Sequence, residues 1–256
     1  MPQKTDVFKF LIFLVYLLIS TSLSFGEIRR DLFIIKGNTA VGSGFSVNYN
    51  GGFYLCTNQH VVVGQTQIEV ENTMGEQIAL SDEVLFPNDE RDLILIKLLN
   101  HKTGFNVTQS INFGEEVTSY GNSGGESVIT QKIGKVLGIG NTEVEYDNPT
   151  VSGDSGSAVL NTSNQVVAVV TKGLKDQQMN AWLEDRPEMH TRRFGTRIDN
   201  AKWRKTNLEQ LLRISKIYNH IFELDKKWQQ EYKTYKDWKN FFISKFVLSI
   251  ACLTPS

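Results

Sequence analysis

Between residues 28 and 200 the chain consists of short β-branched and aromatic runs set off by turn residues, with no helix-period apolar pattern between them. The runs include Leu32-Phe33-Ile34-Ile35, Gly44-Phe45-Ser46-Val47, Phe53-Tyr54-Leu55-Cys56, Ile68-Glu69-Val70-Glu71, Leu93 to Leu98, Lys135 to Ile139, Ala158-Val159-Leu160 and Val166 to Val170. Asn50-Gly51-Gly52 separates two of them, and Asn161 to Asn164 another two, because asparagine and glycine tolerate the positive φ of tight turns. Strands at this spacing without intervening helices predict a mostly β fold, a barrel or a sandwich.

Composition sets bounds on what that fold can do. The 256 residues hold one domain of ordinary size plus an appendage, and 40% hydrophobic content is ample for a core. A formal net charge of −1 gives no global attraction to nucleic acid, which is not expected as a partner. Cys56 and Cys252 are too few for a disulfide scaffold. Cys56 lies in an apolar run and reads as a small core residue, although its pairing with Cys252 stays open. No His, Cys or carboxylate cluster has a metal-ligand spacing, so neither metal nor organic cofactor is expected.

Three short segments carry chemistry: Thr57-Asn58-Gln59-His60-Val61-Val62, Arg91-Asp92-Leu93-Ile94-Leu95, and Ser152-Gly153-Asp154-Ser155-Gly156. Serine is a poor nucleophile near neutral pH. It needs a base within hydrogen-bond reach, and the base needs a carboxylate to fix its tautomer. Asp92 is preferred to Asp89 as that carboxylate, since it abuts an apolar strand while Asn88-Asp89-Glu90 reads as a solvated loop. His101, His190 and His220 lack a comparable setting and read as surface residues. A Gly-x-Ser-x-Gly elbow of the α/β-hydrolase kind would require the order Ser, Asp, His, and strands alternating with helices. This chain has neither.

The order His, Asp, Ser resembles that of trypsin-like (chymotrypsin-fold) serine peptidases. Gly42-Ser43-Gly44-Phe45 with Leu55 to Val62 is most similar to the bacterial high-temperature-requirement, or Deg-type, branch; Ser152 to Gly156 has the trypsin-like form of the nucleophile motif. The resemblance covers roughly residues 28 to 200 and implies two six-stranded antiparallel barrels. The site would lie in the crevice between them, with His60 and Asp92 from the first barrel and Ser155 from the second. It further implies an oxyanion hole from the amides of Gly153 and Ser155, and a substrate-pairing edge at Thr171-Lys172-Gly173. Pro149, six residues before the nucleophile, would stand at the floor of the primary pocket, with Gly195 beside it. A non-acidic floor argues against a Lys or Arg preference and toward an apolar or small P1 residue. In digestive relatives the aspartate matching Asp154 pairs with an amine released by zymogen cleavage. Arg29-Arg30-Asp31 lacks the small apolar start used there, so a partner for Asp154 stays open.

The two ends read differently from the body. Lys4 and Lys9, the apolar run Phe10 to Ile19 and the small residues Ser20 to Ser24 have the layout of a secretory signal peptide spanning residues 1–26. An uncleaved anchor is the alternative, and either places the body in an extracytoplasmic space, periplasmic or secreted. The protease-like domain then spans 27–205. Over 206–256 a helical extension is expected, with Thr206-Asn207-Leu208-Glu209 as a capping box. Ile214, Ile221, Trp228, Tyr235 and Phe242 follow at sevenfold spacing. From residue 202 onward, eleven basic side chains face five acidic ones, a surplus of six. An anionic membrane surface or self-association are the functional readings of that helix; packing along the barrel is the structural one.

The sequence thus predicts an exported serine endopeptidase acting on polypeptides through an acyl-enzyme, with the triad His60, Asp92 and Ser155. Its competitors are a non-catalytic binding module on the same fold and an esterase using the same groups.

Overall fold

The computed structural model describes residues 30–175, 191–217 and 220. Thirteen strands dominate, in two sheets. The first half supplies β1 (Leu32–Gly37), β2 (Val41–Tyr49), β3 (Gly52–Thr57), β4 (Ile68–Asn72), β5 (Leu80–Pro87) and β6 (Ile94–Leu98). A single helical turn, α1 (Gln59–Val62), follows β3. The second half supplies β7 (Glu116–Gly121), β8 (Thr130–Ile139), β9 (Glu143–Tyr146), β10 (Ala158–Asn161), β11 (Val166–Lys175) and β12 (Thr191–Thr196). These six close into an antiparallel barrel in the order β10-β11-β12-β9-β8-β7. β13 (Trp203–Asn207) returns to the first sheet, whose order is β13-β5-β6-β3-β2-β1-β4.

Local chemistry explains the hairpins. Asn50 and Gly51 both have positive φ, 48° and 78°, which a two-residue turn with the twist of its strands requires, and β2 pairs with β3 from Tyr49↔Gly52 upward. Asn164 does the same between β10 and β11, with φ 56°. β6 is flanked by β3 and β5 and buried on both faces over its first residues, so Leu93 to Ile96 form a continuous apolar run rather than an alternation. Leu93, Ile94, Leu95 and Ile96 are fully buried, each stabilising the fold by about 1.5–3 kcal/mol.

The two lobes share core. One cluster joins Leu32, Phe45, Val47 and Leu95 of the first to Ala158, Leu160, Val166 and Val169 of the second. The connection between lobes is itself hydrogen-bonded to both: Phe105 bridges to Val47 of β2, and Val107 to Val166 of β11. Cys56 is part of the shared core, and burial drives its thiol far above the ordinary range.

Two expectations near the end of the described chain change. Residues 203–207 form a strand on β5, where the sequence suggested a domain end; its Arg204 and Lys205 point to solvent, so no apolar alternation marks it. The helix α2 (208–217) is capped by Asn207, whose Oδ1 accepts from the Gln210 amide at 3.0 Å, so the cap lies one residue beyond Thr206. The leader at 1–26, Ile221 and the later sevenfold positions, His190 and Cys252 lie outside the described residues.

Candidate active site

His60 lies in α1, directly after β3, and Asp92 directly before β6, two strands paired with each other. The adjacency of those strand ends puts the two side chains together. Asp92 grips the histidine twice: Oδ1 accepts the backbone amide of His60 at 3.0 Å, and Oδ2 faces Nδ1 of its ring. Asp89 instead pairs with Arg91 and is exposed. Asn58, fully buried, donates to the Asp92 carbonyl at 2.7 Å and to the Thr171 hydroxyl at 3.2 Å, tying this corner to β11 of the barrel.

Ser155 sits in the turn between β9 and β10. Its carbonyl accepts from the Ser43 amide at 2.8 Å, which sets the turn against β2. Gly42 is interposed there: a Cβ on it would lie 2.7 Å from Val61, the neighbour of His60, and 3.3 Å from the Ser155 carbonyl. Two glycines are dictated by the turn itself. Gly153 has φ +91° and Gly156 φ +88°, and a Cβ on either would come within 2.2 Å and 2.0 Å of the carbonyls of Asn122 and Ser43. Ser43, fully buried, adds a bridge between lobes, donating to the Gly153 carbonyl and accepting from the Asn122 amide, both at 2.8 Å. Among the described residues, the amides of Gly153 and Ser155 donate to no protein acceptor, so two donors remain for an anionic oxygen.

A cleft of about 630 Å³ opens beside His60, lined among others by Asp92, Thr142, Thr171, Lys172 and Thr196. Lys172 pairs with Glu143 at 2.6 Å and lies over the Phe194 ring. β11 outruns β10: past Val170 it pairs with β12 alone among the described residues, leaving the Thr171-Lys172-Gly173 edge open beside the Ser155 turn. An extended peptide can add to such an edge.

Other predicted positions fall elsewhere. Pro149 is exposed on the loop before the turn. Gly195 packs inside the barrel, where a Cβ would meet Ala168, Val169 and Tyr146 at 2.8–3.1 Å; it is a packing residue, and Thr196 takes the cleft wall. Arg193, which stands in no recognisable motif, places its Nε 3.5 Å from the Thr150 carbonyl next to Pro149. Burial raises the nearby Tyr146 hydroxyl above its usual range, and the Arg193 charge opposes that rise. His101 is not a surface residue: its Nε2 meets the buried Asp31 carboxylate at 2.8 Å and its ring stands edge-on to Phe33. His220 is exposed. No cluster able to hold a metal exists among the described residues.

A histidine held by a carboxylate, a serine in a glycine-bounded turn and two amides without a protein acceptor thus lie on these neighbouring segments. A family model described as trypsin-like peptidase domain matches residues 42–169, half of the chain. The chain belongs to that family. Among curated proteins, this trypsin-like peptidase domain is 26% identical over 166 residues to a glutamyl endopeptidase of Staphylococcus epidermidis. That match covers 56% of this chain and 58% of the relative, so the chain spans little more than half the length of that protein. Among solved structures, the active form of the Rv3671c protease from M. tuberculosis aligns with TM-score 0.52 and 15% identity, over 66% of this chain and 77% of that one. The serine endoprotease from Yersinia pestis aligns with TM-score 0.50 and 22% identity, over 59% and 56%. The fold is therefore that of trypsin-like peptidases.

Proposed function

We propose that this chain is an exported serine endopeptidase that cleaves polypeptides through an acyl-enzyme on Ser155, with His60 as general base and Asp92 as the group that orients it. The observation that carries this is the double hold of Asp92 on His60. With Nδ1 committed to the carboxylate, Nε2 is left as the acceptor for a hydroxyl proton, and the carboxylate stabilises the imidazolium that forms. The attacking oxygen bonds to the scissile carbonyl, whose oxygen takes up negative charge beside the Gly153 and Ser155 amides. The proton then passes from His60 to the leaving amine, and water repeats the sequence to release the acid.

Fluorophosphonate labelling tests it. The parent chain should label and Ser155→Ala should not, with a loss of about 10⁶ in kcat. A folded parent chain that neither labels nor cleaves protein would favour the binding-module reading. Activity on small esters without peptide cleavage would favour the esterase.

An acidic P1 residue is favoured over an apolar one by a specific observation. Arg193 brings a guanidinium to the loop that leads into the nucleophile turn, and the relative named above is a glutamyl endopeptidase. Peptides differing only at P1 should rank Glu above Gln and Leu, and Arg193→Gln should cut kcat/KM for Glu about 10–100-fold while sparing Leu. Equal rates for all three would return the choice to an apolar pocket. Export rests on the layout of residues 1–26; N-terminal sequencing of protein from the extracytoplasmic fraction should read from Glu27, and intact cytoplasmic chain would contradict it.

A further inference from the structure

Asp154 stands between Gly153 and Ser155, whose amides donate to no protein acceptor among the described residues, and it is 1% exposed. Its backbone amide donates to the Val151 carbonyl at 3.1 Å, and its carbonyl accepts from the Ser157 amide at 2.9 Å. Its carboxylate is fully engaged. Oδ1 accepts the Ser123 hydroxyl at 2.7 Å; Oδ2 accepts the Val151 amide at 2.7 Å and the ammonium of Lys132. Lys132 reaches in from near the start of β8, its side chain 13% exposed, while its neighbours Gln131 and Ile133 face outward. A buried carboxylate needs a cation and donors to stay ionised. Here all of them come from within the folded domain: Ser123, the Val151 amide and Lys132 anchor the side chain of the residue that sits between Gly153 and Ser155.

We propose that Lys132 is a positioning residue for the oxyanion hole: its ion pair with Asp154 holds the Gly153–Ser155 backbone in the anion-binding arrangement, so no free N-terminal amine is needed to form it. The inference rests on the endopeptidase reading. It goes beyond that reading by assigning this chain constitutive competence, with the cation supplied by a barrel strand. Ser123 is the second support, since its hydroxyl also meets Thr130, two residues before Lys132 on the same strand.

Fluorophosphonate labelling of the parent chain comes first, because failure there sinks the peptidase reading itself and says nothing of Lys132. In a labelling parent, Lys132→Met should lower kcat about 100-fold with KM changed less than twofold. Affinity for a peptidyl aldehyde, whose tetrahedral adduct uses the oxyanion donors, should fall by the same factor, while affinity for a product peptide should not. Lys132→Arg should recover most of the loss, which a purely structural role would not demand of kcat alone. Should Lys132→Met fail to fold, Lys132→Met combined with Asp154→Asn removes both buried charges and should show the same kcat defect. Parent-level kcat in either folded variant overturns the proposal. An independent check uses the unsubstituted sequence: a chain starting at Glu27 and the same chain with a retained N-terminal tag should turn over equally. A requirement for the free amine would also overturn it.

Discussion

Asp92 holds two atoms of one histidine, and the two contacts do different work. The amide contact fixes the backbone of α1, and the ring contact fixes the tautomer. Asn at position 92 preserves size and can still meet the amide, but its NH₂ or carbonyl would let the ring adopt the wrong tautomer. Asp92→Asn is therefore expected to keep the parent melting temperature within a few degrees while kcat falls about 10⁴-fold. Comparing thermal melts with steady-state rates checks this; a proportionate loss of both would assign Asp92 to structure alone. The residues that matter here differ in how visible they were. The roles proposed for His60, Asp92 and Ser155 are legible in local motifs. Ser43 and Lys132 do not: a serine in a strand and a lysine among Thr130, Gln131 and Ile133 look like ordinary β-sheet polar positions. Their partners, Gly153 and Asp154, are 110 and 22 residues away and become neighbours only when the lobes and the barrel close.

Among elements, β13 shows what patterning misses. It was hidden because its side chains are half-exposed, and its place is fixed by pairing with β5 and by charges. Glu83 on β5 receives the Tyr54 hydroxyl at 2.8 Å from β3 and Lys205 at 3.4 Å from β13, with Lys97 of β6 nearby. The Tyr54 hydrogen bond foremost, then the two lysines, hold its carboxyl below its ordinary value of 4.5, while Tyr54 itself is pushed up to about 12 by burial and by Glu83. The folded state therefore binds this proton less tightly than the unfolded chain. Its stabilisation is present above about pH 4.5 and lost as pH falls through the lower folded value. Glu145, held down by Arg192, adds in the same direction. The melting temperature should be flat above about pH 5 and decline below it, and Glu83→Gln should shallow that decline. Identical acid limbs in parent and variant would refute the assignment. By contrast, β2, β3 and β6 were legible from the sequence because turn glycines and uninterrupted apolar runs leave few other conformations.

On the scale of the molecule, a single cluster mixes Phe45 and Leu95 with Leu160 and Val169, so the two lobes are expected to unfold as one cooperative unit. Calorimetry should give one transition, with calorimetric and van't Hoff enthalpies in agreement; two separable peaks would show lobes that melt alone. The path of the chain adds a further point. β1 and β13, the first and last strands among the described residues, both lie in the seven-stranded sheet, and the closed barrel is spliced between β6 and β13. Tension applied between Leu32 and Asn207 would load the seven-stranded sheet first. Mechanical unravelling would start by peeling β13 from β5, after which the pull would pass to the end of β12 and so reach the half carrying Ser155.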